Sequence, residues 1–146
     1  MSVRYEPGCG VEDEACDAAT LATVLDAARA ADVVIACMGE KNYAEKPGNI
    51  DDLSMAGAQR QMLAALGQQD DTPVVLLLVE GRPRVMHGAA DGMEAVLQAF
   101  LPGPEGGVGI AEILFGHVNP SARMPLSYPK AVRVLLHACP FFPRMH

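Results

Sequence analysis

Apolar positions along this chain switch between two spacings. Over residues 18–31, Leu21, Val24, Leu25 and Ala28 recur at offsets of three and four, which places them on one side of an α-helix. Asp17 stands just before that stretch as its N-cap, because a short carboxylate can accept from the open amides of a first helical turn. Residues 32–38 then run almost unbroken through Val33, Val34, Ile35, Ala36, Cys37 and Met38. A strand covered on both faces reads this way, so the run predicts a central parallel strand, with Cys37 as a small core residue. Helical spacing returns over residues 57–68, where Met62, Leu63 and Leu66 share a side. Residues 73–79 form the most apolar strand, and Gly81-Arg82-Pro83 stops it with a turn.

Residues 95–100 read as a further strand, a run short enough to leave helix open as well. The Pro- and Gly-rich segment 101–107 feeds a helix over residues 108–115, which Gly116 can terminate. A short strand over residues 3–5 precedes the turn at Pro7-Gly8. The alternation of strand and helix predicts an α/β fold: a three-layer sandwich with a mostly parallel sheet, flanked by helices and joined by right-handed crossovers. A length of 146 residues suits one domain with a real core. Residues 1–130 are expected to form a single sandwich domain, incomplete at its N-terminal side. Residues 131–146 mix Leu, Phe, Pro and basic side chains without a period and are expected to form a divergent or irregular tail.

Half of the residues are hydrophobic and a fifth are charged, as in a folded globular chain rather than a disordered one. The net charge of -7 argues against nucleic acid or an anionic membrane as partner, because phosphate binding needs clustered Lys and Arg. A neutral ligand such as a sugar meets no such objection. No apolar run reaches the roughly 20 residues of a membrane span, and residues 1–14 lack the apolar core of a signal peptide. Compartment is left open. Cys9, Cys16, Cys37 and Cys139 form no CxxC pair and have no histidine at metal spacing, so no metal is expected; Cys9 and Cys16 could pair. Gly103, Gly106, Gly107 and Gly109 miss the GxGxxG spacing, and no nucleotide cofactor is expected. His87, His117, His137 and His146 are scattered and belong to no catalytic pattern.

The candidate chemistry lies in Gly39-Glu40-Lys41-Asn42-Tyr43-Ala44-Glu45, directly after the first apolar strand. In open α/β sheets ligands bind at loops on the carboxyl ends of strands, and this loop carries two carboxylates. Taken alone, both glutamates could be ordinary solvated loop charges.

Three separated motifs, in order, change that balance: GEKNYAE after one strand, GRP after the next, and PGPEGGVGIAEILFGHVNPSARMP near the end. Together they resemble the C-terminal α/β sandwich domain of glycoside hydrolase family 3, over most of residues 3–130. The resemblance implies hydrolysis of β-linked glucosides and related oligosaccharides with retention. It implies an Asp nucleophile on an N-terminal barrel and a Glu acid/base on the sandwich domain, and the final Glu of the GExxYxE loop is here Glu45. Glu40 would support the loop by hydrogen bonding. Asn49, His117 and Ala122 depart from the family pattern, which carries Asp, Asp and Gly there. Nothing in the chain resembles the barrel, so the chain would hold half of an active site. Besides that reading, a non-catalytic carbohydrate-binding or interaction module and a truncated product without function remain open. No cofactor is required.

Overall fold

The computed structural model describes residues 2–69 and 71–129. The expected tail over residues 131–146 lies outside the described residues. Helix α1 (Ala18–Arg29) leads into strand β1 (Val34–Gly39); helix α2 (Gly57–Leu66) leads into strand β2 (Val74–Val79). Strand β3 (Ala95–Gln98) and helix α3 (Gly106–Leu114) follow. The strands pair in parallel in the order β1-β2-β3, with Val34 opposite Val74 and Val75 opposite Ala95. The result is the expected α/β architecture, a parallel sheet flanked by helices.

Local chemistry fixes the helix ends. Asp17 caps α1 by accepting from the Thr20 amide at 2.9 Å, a bond that holds its carboxyl below the usual carboxylate value. Further along the chain, Gly116 takes φ +74° and donates to the Ile113 carbonyl at 3.0 Å, while the His117 amide donates to the Glu112 carbonyl at 2.8 Å. These paired bonds close α3 where Gly116 was expected to end it, because a residue in the left-handed region turns the chain back on its last carbonyls. Helix α3 begins two residues earlier than its apolar spacing suggested, at Gly106.

The core lies between one sheet face and the pair α1 and α2. Alternate β2 residues Val74, Leu76 and Leu78 are buried there against Leu63, Leu66 and Ala58 of α2 and Ala28 of α1. Strand β2, not β1, is central. Among the described residues β1 pairs only with β2. Its outward residues remain open: Ile35 is 38% exposed, and Cys37 is an exposed thiol rather than a core residue. Residues 3–5 form no strand; Val3 and Tyr5 stand more than four-fifths exposed, and among the described residues no neighbouring strand offers a ladder for their backbone. Cys9 and Cys16 are joined in a disulfide, which closes a small loop ahead of α1. No helix among the described residues is long and apolar enough to cross a membrane.

Candidate active site

Strand β1 ends at Gly39, and the packing there explains the glycine. Gly39 lies opposite Val79, and a Cβ atom at this position would fall on the Val79 carbonyl oxygen. The buried side chain of Gln59, on α2, then pins the strand end from the other side. Its Oε1 accepts from the Gly39 amide at 2.9 Å, and its Nε2 donates to the carbonyls of Gly39 at 2.8 Å and Val11 at 2.6 Å. A strand terminus in this setting exposes backbone groups that need partners, and one amide side chain satisfies two of them and the Val11 carbonyl besides.

Beyond Gly39 the chain forms a loop anchored to the turn after β2. The Glu40 carboxylate, largely buried, accepts from Arg82 Nε at 2.9 Å and from Arg84 Nη1 at 3.3 Å. The Arg82 guanidinium also lies over the Tyr43 ring at 4.1 Å and donates through Nη1 to the Gly48 carbonyl at 2.7 Å. Tyr43 itself is wedged between two glycines. A Cβ on Gly48 would come within 2.5 Å of its ring, and one on Gly81 would overlap its hydroxyl. Thus the loop that follows β1 closes on the turn that follows β2.

Glu45 sits on this loop, immediately before a short 3₁₀ turn over Lys46–Gly48. Its carbonyl accepts from the Gly48 amide at 2.9 Å, and its backbone takes φ +50°, a conformation unusual for a residue with a side chain. Such conformations cost on the order of 1–3 kcal/mol and persist where surrounding contacts enforce them. Among the described residues the Glu45 carboxylate has no hydrogen-bond or ion-pair partner, and the side chain is exposed. Lys41, the nearest cation in sequence on the strand side, is engaged elsewhere: it pairs with Glu12 at 2.5 Å, which raises its pKa. A cleft of about 410 Å³ opens beside the loop, lined by Glu12, Glu40, Asn42, Arg60, Arg82 and Arg84 among others. Glu45 is not part of its wall, whereas Glu40 is.

A second buried carboxylate lies beneath the site. Glu80, the last residue before Gly81, is fully buried; its Oε1 accepts from the Tyr128 hydroxyl and from the Arg84 amide at 3.3 Å. Its Oε2 is buried without a partner among the described residues. Burial pushes the Glu80 carboxyl up, with the Glu40 charge adding to that, while Tyr128 and Arg84 oppose it. Burial and the bond to Glu80 likewise raise the Tyr128 hydroxyl. Between the ordinary glutamate value, about 4.3, and the raised one, the folded state holds a proton on Glu80 that the unfolded chain releases, so the contribution of Glu80 to stability is full below that window and is lost as pH rises through it. The variant Glu80→Gln is expected to flatten that decline, so thermal melts at pH 4 and pH 7 should differ less for the variant than for the parent chain. An equal or steeper decline in the variant would show that Glu80 is not the group responsible.

Sequence reasoning singled out Glu45 and Glu40 and missed Gln59, Glu80, Arg82, Arg84 and Tyr128. The signal for Glu80 was present: a glutamate closing an otherwise apolar strand is a polar group that must find partners. The Arg82 contacts carried no such signal, because they join segments about 40 residues apart.

Fold and site together describe a class: a parallel α/β sandwich domain that presents a carboxylate loop at the carboxyl edge of its sheet. Residues 3–143 match the model of the glycosyl hydrolase family 3 C-terminal domain, and the chain belongs to that family. It is 48% identical over 106 residues to the lysosomal beta glucosidase of Dictyostelium discoideum, covering 72% of this chain and 13% of that protein. It is 36% identical over 109 residues to the periplasmic beta-glucosidase of Salmonella typhimurium, covering 74% of this chain and 14% of that one. The crystal structure of a beta-glucosidase from Listeria innocua in complex with isofagomine superposes with a TM-score of 0.74 at 30% identity, covering 82% of this chain and 16% of the other. The chain thus spans a small part of the length of the enzymes it matches.

Proposed function

We propose that this chain is the acid/base-carrying domain of a retaining β-glucosidase-type hydrolase, with Glu45 as the proton donor. The observation that carries the reading is the presentation of Glu45: exposed and unpaired among the described residues, on a loop fixed at both ends to the carboxyl edge of a parallel sheet. A retaining glycosidase needs two carboxyl groups about 5–5.5 Å apart. One attacks the anomeric carbon, and the other protonates the departing oxygen and then, as a carboxylate, activates water. In this reading Glu45 supplies the second group, and an aspartate on a barrel domain supplies the first. The substrate is a β-linked glucoside or oligosaccharide, and the chemistry calls for no cofactor. The chain alone is inactive, because general-acid assistance without a positioned nucleophile does not form the glycosyl-enzyme intermediate.

The test is to join the chain to a family barrel that carries its aspartate. A folded, monodisperse fusion is expected to hydrolyse 4-nitrophenyl β-glucoside, while the chain alone releases no nitrophenol. A folded but silent fusion, with the same barrel active beside its own sandwich domain, would overturn the reading.

A further inference from the structure

We infer that Arg82 is a positioning residue: it sets the Glu45 loop in its working place by gripping that loop at its start, middle and end. The inference rests on the reading of Glu45 as proton donor. Its basis is the set of contacts made by one guanidinium. Arg82 reaches the Glu40 carboxylate at 2.9 Å, stacks on Tyr43 at 4.1 Å, and donates to the Gly48 carbonyl at 2.7 Å. These three points bracket Glu45 on both sides.

Each contact uses a different property of the side chain. The ion pair to Glu40 needs charge, the contact with Tyr43 needs a flat cation, and the bond to Gly48 needs a second donor at a fixed angle from the first. Arginine offers all three in one rigid plane, whereas lysine offers only the first. The surroundings limit the alternatives further. Glu40 and Arg82 are both mostly buried, so their pair is screened by solvent less than a surface pair would be. Gly81 and Gly48 leave the space that Tyr43 fills beneath the guanidinium. The Glu45 side chain makes no hydrogen bond or ion pair among the described residues, so its position is inherited from the backbone. Its positive φ is the kind of conformation that relaxes once neighbouring contacts stop enforcing it.

Arg82 has no need to touch substrate for this role. A proton donor displaced by about 1 Å can lose up to 10²-fold in rate, so holding the loop is itself a contribution to the reaction.

Two measurements test the inference. In the chain itself, ¹⁵N relaxation should report amides 41–46 with order parameters of about 0.85. In Arg82→Gln they should fall below about 0.6, with α2 and β2 unchanged, and Arg82→Lys should lie between. Should Arg82→Gln fail to fold, the Arg82→Lys chain carries the measurement by itself. Order unchanged in a folded Arg82→Lys or Arg82→Gln chain overturns the inference. In the barrel-joined protein, Arg82→Gln should lower kcat on cellobiose by about 10- to 100-fold while KM changes little. Combined with Glu45→Gln, the same change should cost less than about threefold more, because a group that acts through Glu45 has nothing left to place. Losses that multiply would mean that Arg82 acts on its own and would overturn the inference. If instead the loop loosens but Glu45→Gln leaves activity intact, the proton-donor reading falls while the anchoring of the loop by Arg82 stands.

Discussion

Replacing Glu45 by glutamine in the barrel-joined protein is expected to reduce hydrolysis of cellobiose by about 10²–10⁴-fold, the range that general-acid catalysis contributes. In kcat/KM, which reports formation of the glycosyl-enzyme intermediate and not its hydrolysis, the same variant should lose far less on 2,4-dinitrophenyl β-glucoside, whose leaving group departs as an anion without help. Glutamine keeps the length and the hydrogen-bonding ability of the side chain but cannot give up a proton. The difference between the two substrates therefore isolates proton transfer from binding or folding. Because Glu45 is exposed and makes no side-chain bond among the described residues, the substitution removes no packing. Its melting temperature should match that of the parent chain, which separates it from the buried Glu40. Equal losses in kcat/KM on both substrates would sink the assignment.

The variant Leu76→Ala is expected to destabilise the domain by about 2–5 kcal/mol, read from urea or thermal unfolding. Leu76 is 0% exposed on the central strand and faces the cluster that includes Ala36, Leu63 and Leu66. Truncation leaves a cavity between two elements that cannot collapse freely, since β2 is paired on both sides and α2 is tied to β1 through Gln59. Against a total stability of roughly 5–15 kcal/mol, such a loss is a large fraction. Leu76→Met keeps the volume and should cost less than about 1.5 kcal/mol. A loss below about 1 kcal/mol for the alanine variant would mean that the face between β2 and α2 is not the core of the domain. The site depends on this core, because β2 delivers Gly81 and Arg82 to the loop that carries Glu45.

Much of the fold was legible in local patterning. The offsets of Leu21, Val24, Leu25 and Ala28 gave α1, and Asp17 gave its cap, because both depend on groups within one or two turns of each other. The strands at Val34–Gly39 and Val74–Val79 were legible for a similar reason, as apolar runs closed by glycine. Their order was not. An apolar run reports that a strand meets apolar surroundings, but Ile35 and Cys37 show that such a run also fits a strand that, among the described residues, has a partner on one side and one face left open. Residues 3–5 erred in the opposite direction: three residues of suitable type do not make a strand without a partner ladder. At the site, the loop and its two glutamates were visible as a motif at a strand end, while the anchoring by Arg82 and Gln59 was not.

The sequence by itself determined the α/β class, the positions of α1, α2, β1 and β2, and the loop on which the candidate proton donor stands. Those features depend on periodicity, capping and turn residues, which act over a few positions and are written where they act. Only the tertiary structure decided that β2 is central, that Glu80 is buried against Tyr128, and that Arg82 reaches Glu40, Tyr43 and Gly48 at once. These pairings join residues tens of positions apart, and parallel β1 and β2 bring them together because their carboxyl ends lie side by side at one edge of the sheet.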